Sequence, residues 1–354
     1  MKALITAGGH GTRLRPITHT QNKHLIPIAN KPILNYALEY VRDAGIKDVG
    51  IITNREGSEV KDVYGDGSDL DLYITYIPQE KPSGLADCVK IAQPFIGDEP
   101  FVFYLGDNII VGGIKKFIEE FERNNANCHL VLAKVNDPER FGVPEIKDGR
   151  IVRVEEKPRH PKSDFAVTGI YIYDKRIFEA VNGILPSARG ELEISDAHQY
   201  LINKGYKITF SEITGWWKDT GKPADLLEAN RLVLDNIDTS VKGKVDKNSN
   251  ISGRVIIEKR AEIVNSNVRG PAIIGAGTKI VNSYIGPYTS IDRNCEIINS
   301  ELEFSIVLDN CLIQNQSIRI EASLFGKDVR IVKANSKPFT NRFIIGDQSL
   351  IEVR

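Results

Sequence analysis

The chain of 354 residues has few features that would suit a disulfide-linked secreted domain or a membrane protein. Its four cysteines, Cys88, Cys128, Cys295 and Cys311, are widely spaced and form no CxxC pair, which argues against a disulfide framework or a zinc site. No apolar run approaches the ~18 to 20 residues that a membrane span needs, and the amino terminus lacks the apolar core of a signal peptide. We therefore expect free thiols and a cytoplasmic protein that does not contact the membrane.

The sequence also lacks an excess of charge of either sign. Its 46 Lys and Arg residues balance 47 Asp and Glu residues, giving a net charge of -1, so no global field favours nucleic acid or an anionic membrane. Hydrophobic residues make up 41% of the chain and charged residues 26%, which is typical of a globular protein long enough for two domains. Any anionic ligand must therefore be bound by a local cluster of cations.

From Met1 to about Asp235, short β-rich runs alternate with helical patterns. The runs KALITA, DVGIIT, LYITYIP, FVFYLGD and CHLVLAKV predict strands, whereas KPILNYALEYVRDAG and IKKFIEEFERNN predict helices. Such alternation predicts an α/β domain over residues 1–235, with a Rossmann-like, mixed but mostly parallel sheet and helices on both faces. Ligands of such sheets bind at the carboxyl ends of strands, so we expect the chemistry on the loops that follow strands.

The last third of the chain has a different periodicity. After a polar stretch at 236–250, which we predict to be a linker, apolar residues recur six apart. The anchors are Ile257 and Ile263, Ile274 and Ile280, then Ile285, Ile291 and Ile297. This spacing suits a prism in which each face contributes one inward side chain. It resembles the left-handed parallel β-helix of hexapeptide repeats, which we predict for residues 251–354, with an ordinary β-sandwich as the alternative. Because a solenoid exposes stackable faces, we expect a homo-oligomer.

The segment AGGHGTRLRP near the amino terminus places three glycines directly after the first predicted strand. A Walker loop needs a lysine after its last glycine, but Thr12 follows Gly11 here. A dinucleotide-binding GxGxxG needs a third glycine where Leu14 stands. What remains is a glycine turn whose backbone N–H groups can line an anion, with Arg13 approaching it.

The longer segment GGHGTRLRPITHTQNKHLIPIANKPIL resembles the pattern GGxGTRLxPxTxxxxKxLxPxxxKP of the sugar-1-phosphate nucleotidyltransferases at essentially every fixed position. The resemblance implies that this loop binds a nucleoside triphosphate, which a sugar 1-phosphate attacks. Arg13 would contact the triphosphate and stabilise the departing pyrophosphate, while Lys23 would neutralise phosphate charge beside it. The nucleotide-binding residues implied are Gly8, Gly9, Gly11, Thr12, Arg13, Gln79, Pro82 and Gly84, of which Gln79 and Gly84 would read the base.

Two aspartates that follow predicted strands are the candidate metal ligands. Asp107 in FVFYLGDN and Asp219 in GWWKDTGK could each be a turn or helix-cap residue when read alone. Together they match the family's LGDN and WxDTG motifs, which implies that they hold Mg²⁺ beside the phosphate oxygens.

Other motifs of the family concern the sugar phosphate. VEEKP resembles the EKP motif, which implies that Glu156 binds sugar hydroxyls and that Lys157 binds the sugar phosphate, as a third catalytic cation with Arg13 and Lys23. The segments FGV, VTGIYIYD and RGELEISD look like further parts of the sugar pocket. The other sugar-phosphate-binding residues implied are Gly142, Val167, Thr168, Gly169 and Glu193.

The resemblance covers nearly the whole chain, because its carboxyl-terminal part is similar to that of long-form glucose-1-phosphate thymidylyltransferases. It implies a catalytic domain over residues 1–235 that makes dTDP-glucose and pyrophosphate from dTTP and α-D-glucose 1-phosphate, for deoxysugar biosynthesis. Transfer from UTP, or to another sugar 1-phosphate, is an alternative, because thymine and uracil differ by one methyl group.

Two other functions are less compatible with the sequence. An acyltransferase in the β-helix would use a histidine as base, and no histidine follows His198. A non-catalytic nucleotide-sensing or scaffold subunit would typically lose a charged site residue, and this chain retains all of them. We therefore predict a Mg²⁺-dependent nucleotidyltransferase with an architectural carboxyl-terminal domain.

Overall fold

The computed structural model of the protein describes residues 1–9, 11–54, 58–333 and 342–352. The chain divides into two compact units, one made of Met1–His10 and Ile33–Asp219, the other of Gly11–Pro32 and Thr220–Arg354. This division differs from the boundary that we placed at Asp235, where the helical pattern ends. Helix Pro223–Leu234 packs on strands Pro27–Ile28 and Thr289–Ile291, so it is grouped with the second unit.

The first unit contains a nine-stranded mixed sheet. Its parallel part has the order Tyr73–Gln79, Asp48–Asn54, Lys2–Thr6, Phe101–Leu105. Strand Phe165–Tyr173 continues the sheet in antiparallel sense. Beyond it the sheet forks, to the hairpin Gly142–Lys147 and Arg150–Glu156 on one branch, and to Cys128–Lys134 and Ile208–Glu212 on the other. The unit's helices are Ile33–Asp43, Ser58–Tyr64, Leu85–Ile91, Gln93–Ile96, Lys115–Asn124, Ile177–Gly183 and Ile194–Asn203.

The central strands of this sheet are buried without alternation. Ala3, Leu4 and Ile5 are completely buried, as is the run from Phe101 to Tyr104. Continuous apolar burial is what a parallel strand requires when both faces of the sheet are covered, and it explains why these runs read as strands in the sequence. The predicted Rossmann-like sheet with helices is confirmed.

The second unit contains a solenoid of short parallel strands in three sheets, consistent with the predicted left-handed β-helix. The first sheet contains Ser240–Val241, Val255–Ile257, Ala272–Ile274, Thr289–Ile291, Ile306–Val307 and Leu324–Phe325. The second sheet contains Lys244–Val245, Glu262–Val264, Lys279–Val281, Glu296–Ile298, Leu312–Gln314 and Arg330–Val332. The third sheet contains Asn250–Ser252, Asn267–Arg269, Tyr284–Ile285, Glu301–Glu303 and Ile320–Glu321. The predicted anchors stack in register inside it, with Ile257 beside Ile274 and Ile274 beside Ile291. All are essentially completely buried.

One corner of the solenoid is shorter than the hexapeptide pattern predicts. Equivalent residues of neighbouring turns, such as Ser266 and Ser283, lie 17 residues apart in the sequence. One turn is therefore shorter than three equal faces of six residues. The short corner is an Asn-Ser pair that recurs as Asn265–Ser266, Asn282–Ser283 and Asn299–Ser300. Each asparagine adopts a left-handed φ of 45° to 48°, which asparagine tolerates well. Ser266 Oγ and Ser283 Oγ each accept the backbone N–H of the serine in the next turn, at 3.0 and 3.2 Å, and Ser300 Oγ accepts the backbone N–H of Gln316 at 3.2 Å.

The solenoid begins earlier than expected. Strands Ser240–Val241, Lys244–Val245 and Asn250–Ser252 lie at or within the stretch for which we predicted a linker, yet they pair with the following turn. A terminal turn carries more polar residues than an interior one, which explains the misleading composition. At the other end, Arg330–Val332 is the last described strand, and part of the predicted β-helix, 334–341 and 353–354, lies outside the described residues. No described helix is long and apolar enough to span a bilayer.

The segment 11–32 of the second unit consists of tight turns. It contains three 3-10 turns, at Thr12–Leu14, Ile17–His19 and Lys23–Leu25, and then a hairpin of Pro27–Ile28 with Lys31–Pro32. The two residues at the tip of the hairpin, Ala29 and Asn30, have left-handed φ values of 49° and 57°, as a two-residue turn of this kind requires.

Candidate active site

The two candidate metal ligands lie at a short antiparallel pairing in the first unit. Asn108–Ile110 pairs with Trp217–Asp219, and Asp219 stands directly opposite Asn108. Asp107 precedes Asn108 in the chain, so the structure brings the backbones of both predicted ligands to the same place.

Asn108 is a buried connection between three predicted parts of the site. Its side chain is 2% exposed, and its Nδ2 donates to Asp107 Oδ1 at 2.9 Å. Its Oδ1 accepts the Trp217 indole N–H at 2.6 Å and the Gly169 backbone N–H at 3.2 Å. One amide therefore contacts a candidate metal ligand, the strand that carries the other candidate, and the predicted sugar segment. The sequence signal was the asparagine of LGDN, which we did not select.

The donor set at this position suits magnesium. In the described part of the chain, no cluster of three or more His, Cys, Asp or Glu side chains is arranged to hold a metal ion. Mg²⁺ is usually bound through one or two carboxylates, with water and substrate phosphate oxygens completing its shell. Asp107 and Asp219 therefore fit an ion that binds together with a nucleotide.

Glu156 is fixed in place by Ser195, which is not among the site residues predicted from the sequence. Ser195 Oγ donates to Glu156 Oε2 at 2.7 Å. A side chain at Gly142 would place its Cβ 2.7 Å from Ser195 Oγ and 3.4 Å from Glu156 Oε2. Glycine is needed at 142 to leave room for this pair. Ser195 itself lies inside helix Ile194–Asn203, which Glu193 precedes as N-cap.

Lys157 has an unusual backbone conformation. Its φ is 45°, uncommon for a lysine, and its backbone N–H donates to Phe141 O at 2.9 Å. Its Nζ lies 3.5 Å from Glu156 Oε1, and its side chain is 46% exposed. Strained backbone of this kind is concentrated at functional sites, which agrees with the role that the EKP resemblance implies.

Glu193 is held by an arginine that we did not select. Arg189 contacts the carboxylate of Glu193 twice, Nε to Oε1 at 3.0 Å and Nη2 to Oε2 at 2.7 Å, and Ser187 Oγ donates to Oε1 at 2.7 Å. The same Nη2 lies 3.7 Å from Glu156 Oε1. Burial and the charges of Glu193 and Glu156 raise the pKa of Asp196. The carboxylates of Glu156, Glu193 and Asp196 thus form a negative cluster. Arg189, at the start of the segment RGELEISD, supplies a compensating positive charge.

The predicted base-reading segment lies beside this cluster. Gln79 ends strand Tyr73–Gln79, and Pro82 is exposed two residues before Gly84. Gly84 has a φ of 103°, and a Cβ there would approach Leu192 O to 2.4 Å. The Ala86 N–H donates to Leu192 O at 3.1 Å. Since Leu192 precedes Glu193, the structure brings the predicted base and sugar segments together.

The segment Val167 to Gly169 is mostly used for packing. Thr168 is completely buried and its hydroxyl donates to Val131 O at 2.9 Å, so it is engaged inside the sheet. Val167 is 7% exposed and stands opposite Gly142. A Cβ at Gly169 would meet Leu105 Cβ at 2.7 Å. These residues shape the site through the backbone.

The glycine loop is divided between the two units. In the first, a Cβ at Gly8 would lie 2.8 Å from Asn54 N, and Gly9 is exposed. In the second, Gly11 adopts a φ of 59° and its carbonyl accepts the Leu14 N–H at 2.8 Å. Three implied residues follow it in the second unit: Thr12 and Arg13, which are exposed, and Lys23, which is half-buried. The other implied site residues belong to the first unit.

The chain is similar to known proteins over both units. Residues 2–236 match the family described as Nucleotidyl transferase. The chain is 49% identical over its whole length to a glucose-1-phosphate thymidylyltransferase of Streptomyces griseus, covering 99% of that protein, and 49% identical to the Streptomyces antibioticus enzyme of the same name, covering 100% of each chain. A Bacillus anthracis structure, assigned as a glucose-1-phosphate thymidylyltransferase and holding sucrose, superposes with a TM-score of 0.64 at 40% identity, covering 68% of this chain and 97% of that one.

Proposed function

Because the chain belongs to the nucleotidyl transferase family, we propose that it transfers a thymidylyl group from dTTP to α-D-glucose 1-phosphate, giving dTDP-glucose and pyrophosphate. The observation that carries the proposal is the pairing of Asn108–Ile110 with Trp217–Asp219, which joins Asp107 and Asp219 at one place. Carboxylates that can hold a divalent metal ion meet one requirement of nucleotidyl transfer, which is charge neutralisation on the phosphates. The name of the full-length relatives supports the choice of nucleotide and sugar.

In the proposed reaction, a phosphate oxygen of the sugar phosphate attacks the α-phosphorus of dTTP. A new P–O bond forms as the bond to the β-phosphate oxygen breaks, and the electron pair leaves with pyrophosphate. The attacking oxygen is already anionic, so no general base is needed. Mg²⁺ held by Asp107 and Asp219 would supply charge neutralisation on the phosphates.

The chain's own residues would position the reactants. Glu156, held by Ser195, accepts hydrogen bonds from sugar hydroxyls, and Lys157 binds the sugar phosphate. Arg13 and Lys23 would neutralise the triphosphate and the departing pyrophosphate. Such fixed cations lower the barrier because they need no rearrangement as charge develops.

A substrate panel tests the proposal. Purified protein with Mg²⁺ is incubated with dTTP, UTP, CTP, GTP or ATP, each with glucose 1-phosphate or mannose 1-phosphate, and sugar nucleotides are separated by anion-exchange chromatography. We expect the highest kcat/KM with dTTP and glucose 1-phosphate, whereas a higher value with UTP would favour the uridylyltransferase alternative. Folded protein that turns over none of these pairs would contradict the proposal.

Two variants connect the activity to the proposed metal ligands. Asp107→Asn and Asp219→Asn should each lower kcat by about a hundredfold or more, since each removes a carboxylate from the charge-neutralising set. Asp98→Asn is the matched control, because Asp98 is an exposed aspartate that pairs with Lys175 on the surface. Unchanged turnover in both active-site variants would show that neither aspartate is needed for catalysis.

The remaining expectations accompany the same proposal. The product would enter deoxysugar biosynthesis in the cytoplasm, and the solenoid would support a homo-oligomer through its stackable strands. Sedimentation velocity of the purified chain tests the second point, and a monomer across the micromolar range would contradict it.

A further inference from the structure

The amide of Gln79 is oriented by a carboxylate. Gln79 Nε2 donates to Asp87 Oδ2 at 2.8 Å, and to the carbonyl of Gly84 at 3.3 Å. An ionised carboxylate and a backbone carbonyl both accept hydrogen bonds and donate none. The nitrogen end of the Gln79 amide must therefore face Asp87 and Gly84. The orientation of the side chain thus follows from the hydrogen-bonding chemistry of its two partners.

This contact leaves a single polar atom of Gln79 to meet a ligand. Both hydrogens of Nε2 are directed at acceptors within the protein, Asp87 and Gly84. In the described part of the chain, Gln79 Oε1 accepts no hydrogen bond from the protein. The side chain is half-buried, so Oε1 can be reached by a bound molecule. Gln79 is therefore presented as an acceptor.

An acceptor at this position discriminates between pyrimidines. Thymine and uracil carry an N–H at the centre of their pairing edge, whereas cytosine carries a lone pair there. We propose, on the basis of the proposed function, that Asp87 is a positioning residue that holds Gln79 Oε1 toward the base and so selects dTTP or UTP against dCTP. The selection arises because cytosine would place a lone pair against Oε1 and leave both unsatisfied.

Asp87 also occupies the first turn of helix Leu85–Ile91, where a negative charge is favourable. If this were its only role, removing the charge would lower the stability of the protein, or would change kcat/KM by the same factor for every nucleotide. Only the positioning role changes the ratio between bases. The ratio is therefore the readout that separates the two.

The test compares wild type with Asp87→Asn. Asparagine can present either an oxygen or a nitrogen to Gln79, so the amide can turn and offer Nε2 to cytosine. We expect the ratio of kcat/KM for dTTP to kcat/KM for dCTP to fall by about tenfold or more, because the turned amide can pair with cytosine. Asp87→Ala, which also removes the obligate acceptor, should lower the ratio too, and Asp98→Asn should leave it unchanged. Circular dichroism spectra establish that each variant is folded.

Equilibrium binding of dTTP and dCTP, measured by isothermal titration calorimetry with Mg²⁺, gives a second readout that does not need turnover. A preference for dTTP that weakens in Asp87→Asn supports the inference even if no sugar nucleotide forms, in which case the proposed function fails and the inference stands. A dTTP to dCTP ratio that is the same in wild type and in both folded Asp87 variants overturns the inference while leaving the function intact.

Discussion

Asn230 accepts a hydrogen bond from the backbone N–H of Ala29 at 2.8 Å, across 201 residues of sequence. The same buried side chain donates to Tyr288 O at 3.1 Å and accepts from Ser290 Oγ at 3.0 Å, both in the solenoid. Asn30 donates to Ile291 O at 2.7 Å. The hairpin that closes the segment 11–32 is thus bonded to the solenoid directly by the amide of Asn30 and indirectly through the amide of Asn230, which makes the solenoid a support for the segment that carries Arg13 and Lys23.

Asn230→Ala should lower the free energy of unfolding by about 2 to 3 kcal/mol, because one buried group, on Ser290, and two half-buried groups, on Ala29 and Tyr288, lose their partner. It should also raise the KM for dTTP, since the segment with Arg13 and Lys23 loses its attachment to the solenoid through Asn230 and keeps that of Asn30. Urea unfolding and steady-state kinetics measure the two effects. Asn236→Ala is the control, because the side chain of that exposed asparagine donates to the carbonyl of Leu232, near the end of helix Pro223–Leu234. Equal stability of the two variants would contradict the supporting role.

Asn108 allows the positioning of Asp107 to be separated from packing. Asn108→Asp keeps an acceptor for the Trp217 indole and the Gly169 N–H, but it loses the donor to Asp107 and adds a like charge. We expect kcat to fall by about tenfold or more and the dependence on Mg²⁺ concentration to change, because the carboxylate geometry is altered. Asn124→Asp, on the exposed end of helix Lys115–Asn124, is the control. Kinetics over a Mg²⁺ titration that match wild type would refute this role.

Most elements could be predicted from local sequence, and the connections between them could not. The strand at Phe101 is apolar throughout, and Ile274 and Ile291 repeat at a fixed spacing, so local patterns were sufficient there. The bond from Asn230 to Ala29 joins two polar residues that carry no periodic signal, so the grouping of 11–32 with the solenoid was missed.

The site was predicted in the same uneven way. The motifs led us to select charged residues, such as Asp107 and Glu156, as candidates. The residues that orient them, Asn108 and Ser195, are small and polar and read as turn or helix residues. Their roles follow from distances between elements that meet only in the folded chain.

Arg189 is the next test of the sugar-phosphate pocket. Arg189→Lys keeps the positive charge but loses the two-point contact with Glu193, so the negative cluster is compensated less well. We expect the KM for glucose 1-phosphate to rise by about tenfold with a smaller change in the KM for dTTP. Arg153→Lys, at an exposed pair with Glu155, is the matched control. An equal rise in both KM values would indicate a general structural effect instead.

The buried histidines predict how stability depends on pH. Burial lowers the pKa of His198 to about 3, and burial, opposed by the charge of Glu120, lowers the pKa of His129 to about 4. In the unfolded chain both return to about 6.5. Between those values the unfolded state binds protons that the folded state does not, so the free energy of unfolding falls as the pH drops below about 6.5.

His198→Phe should remove part of this dependence. Phenylalanine keeps an aromatic ring at this position but has no titrating nitrogen. It also loses the contact between Tyr173 Oη and His198 Nε2 at 2.6 Å, so the variant is less stable than wild type at pH 7.5. Between pH 6.5 and pH 5 the free energy of unfolding of the variant should fall by about 2 kcal/mol less than that of wild type. The reason is that one histidine with a lowered pKa contributes up to about 1.4 kcal/mol per pH unit in this range. Urea unfolding across this range measures the difference, with exposed His160→Phe as control. Since carboxylates titrate alike in all three proteins, a parallel loss in His198→Phe and wild type would show that His198 is not the group responsible.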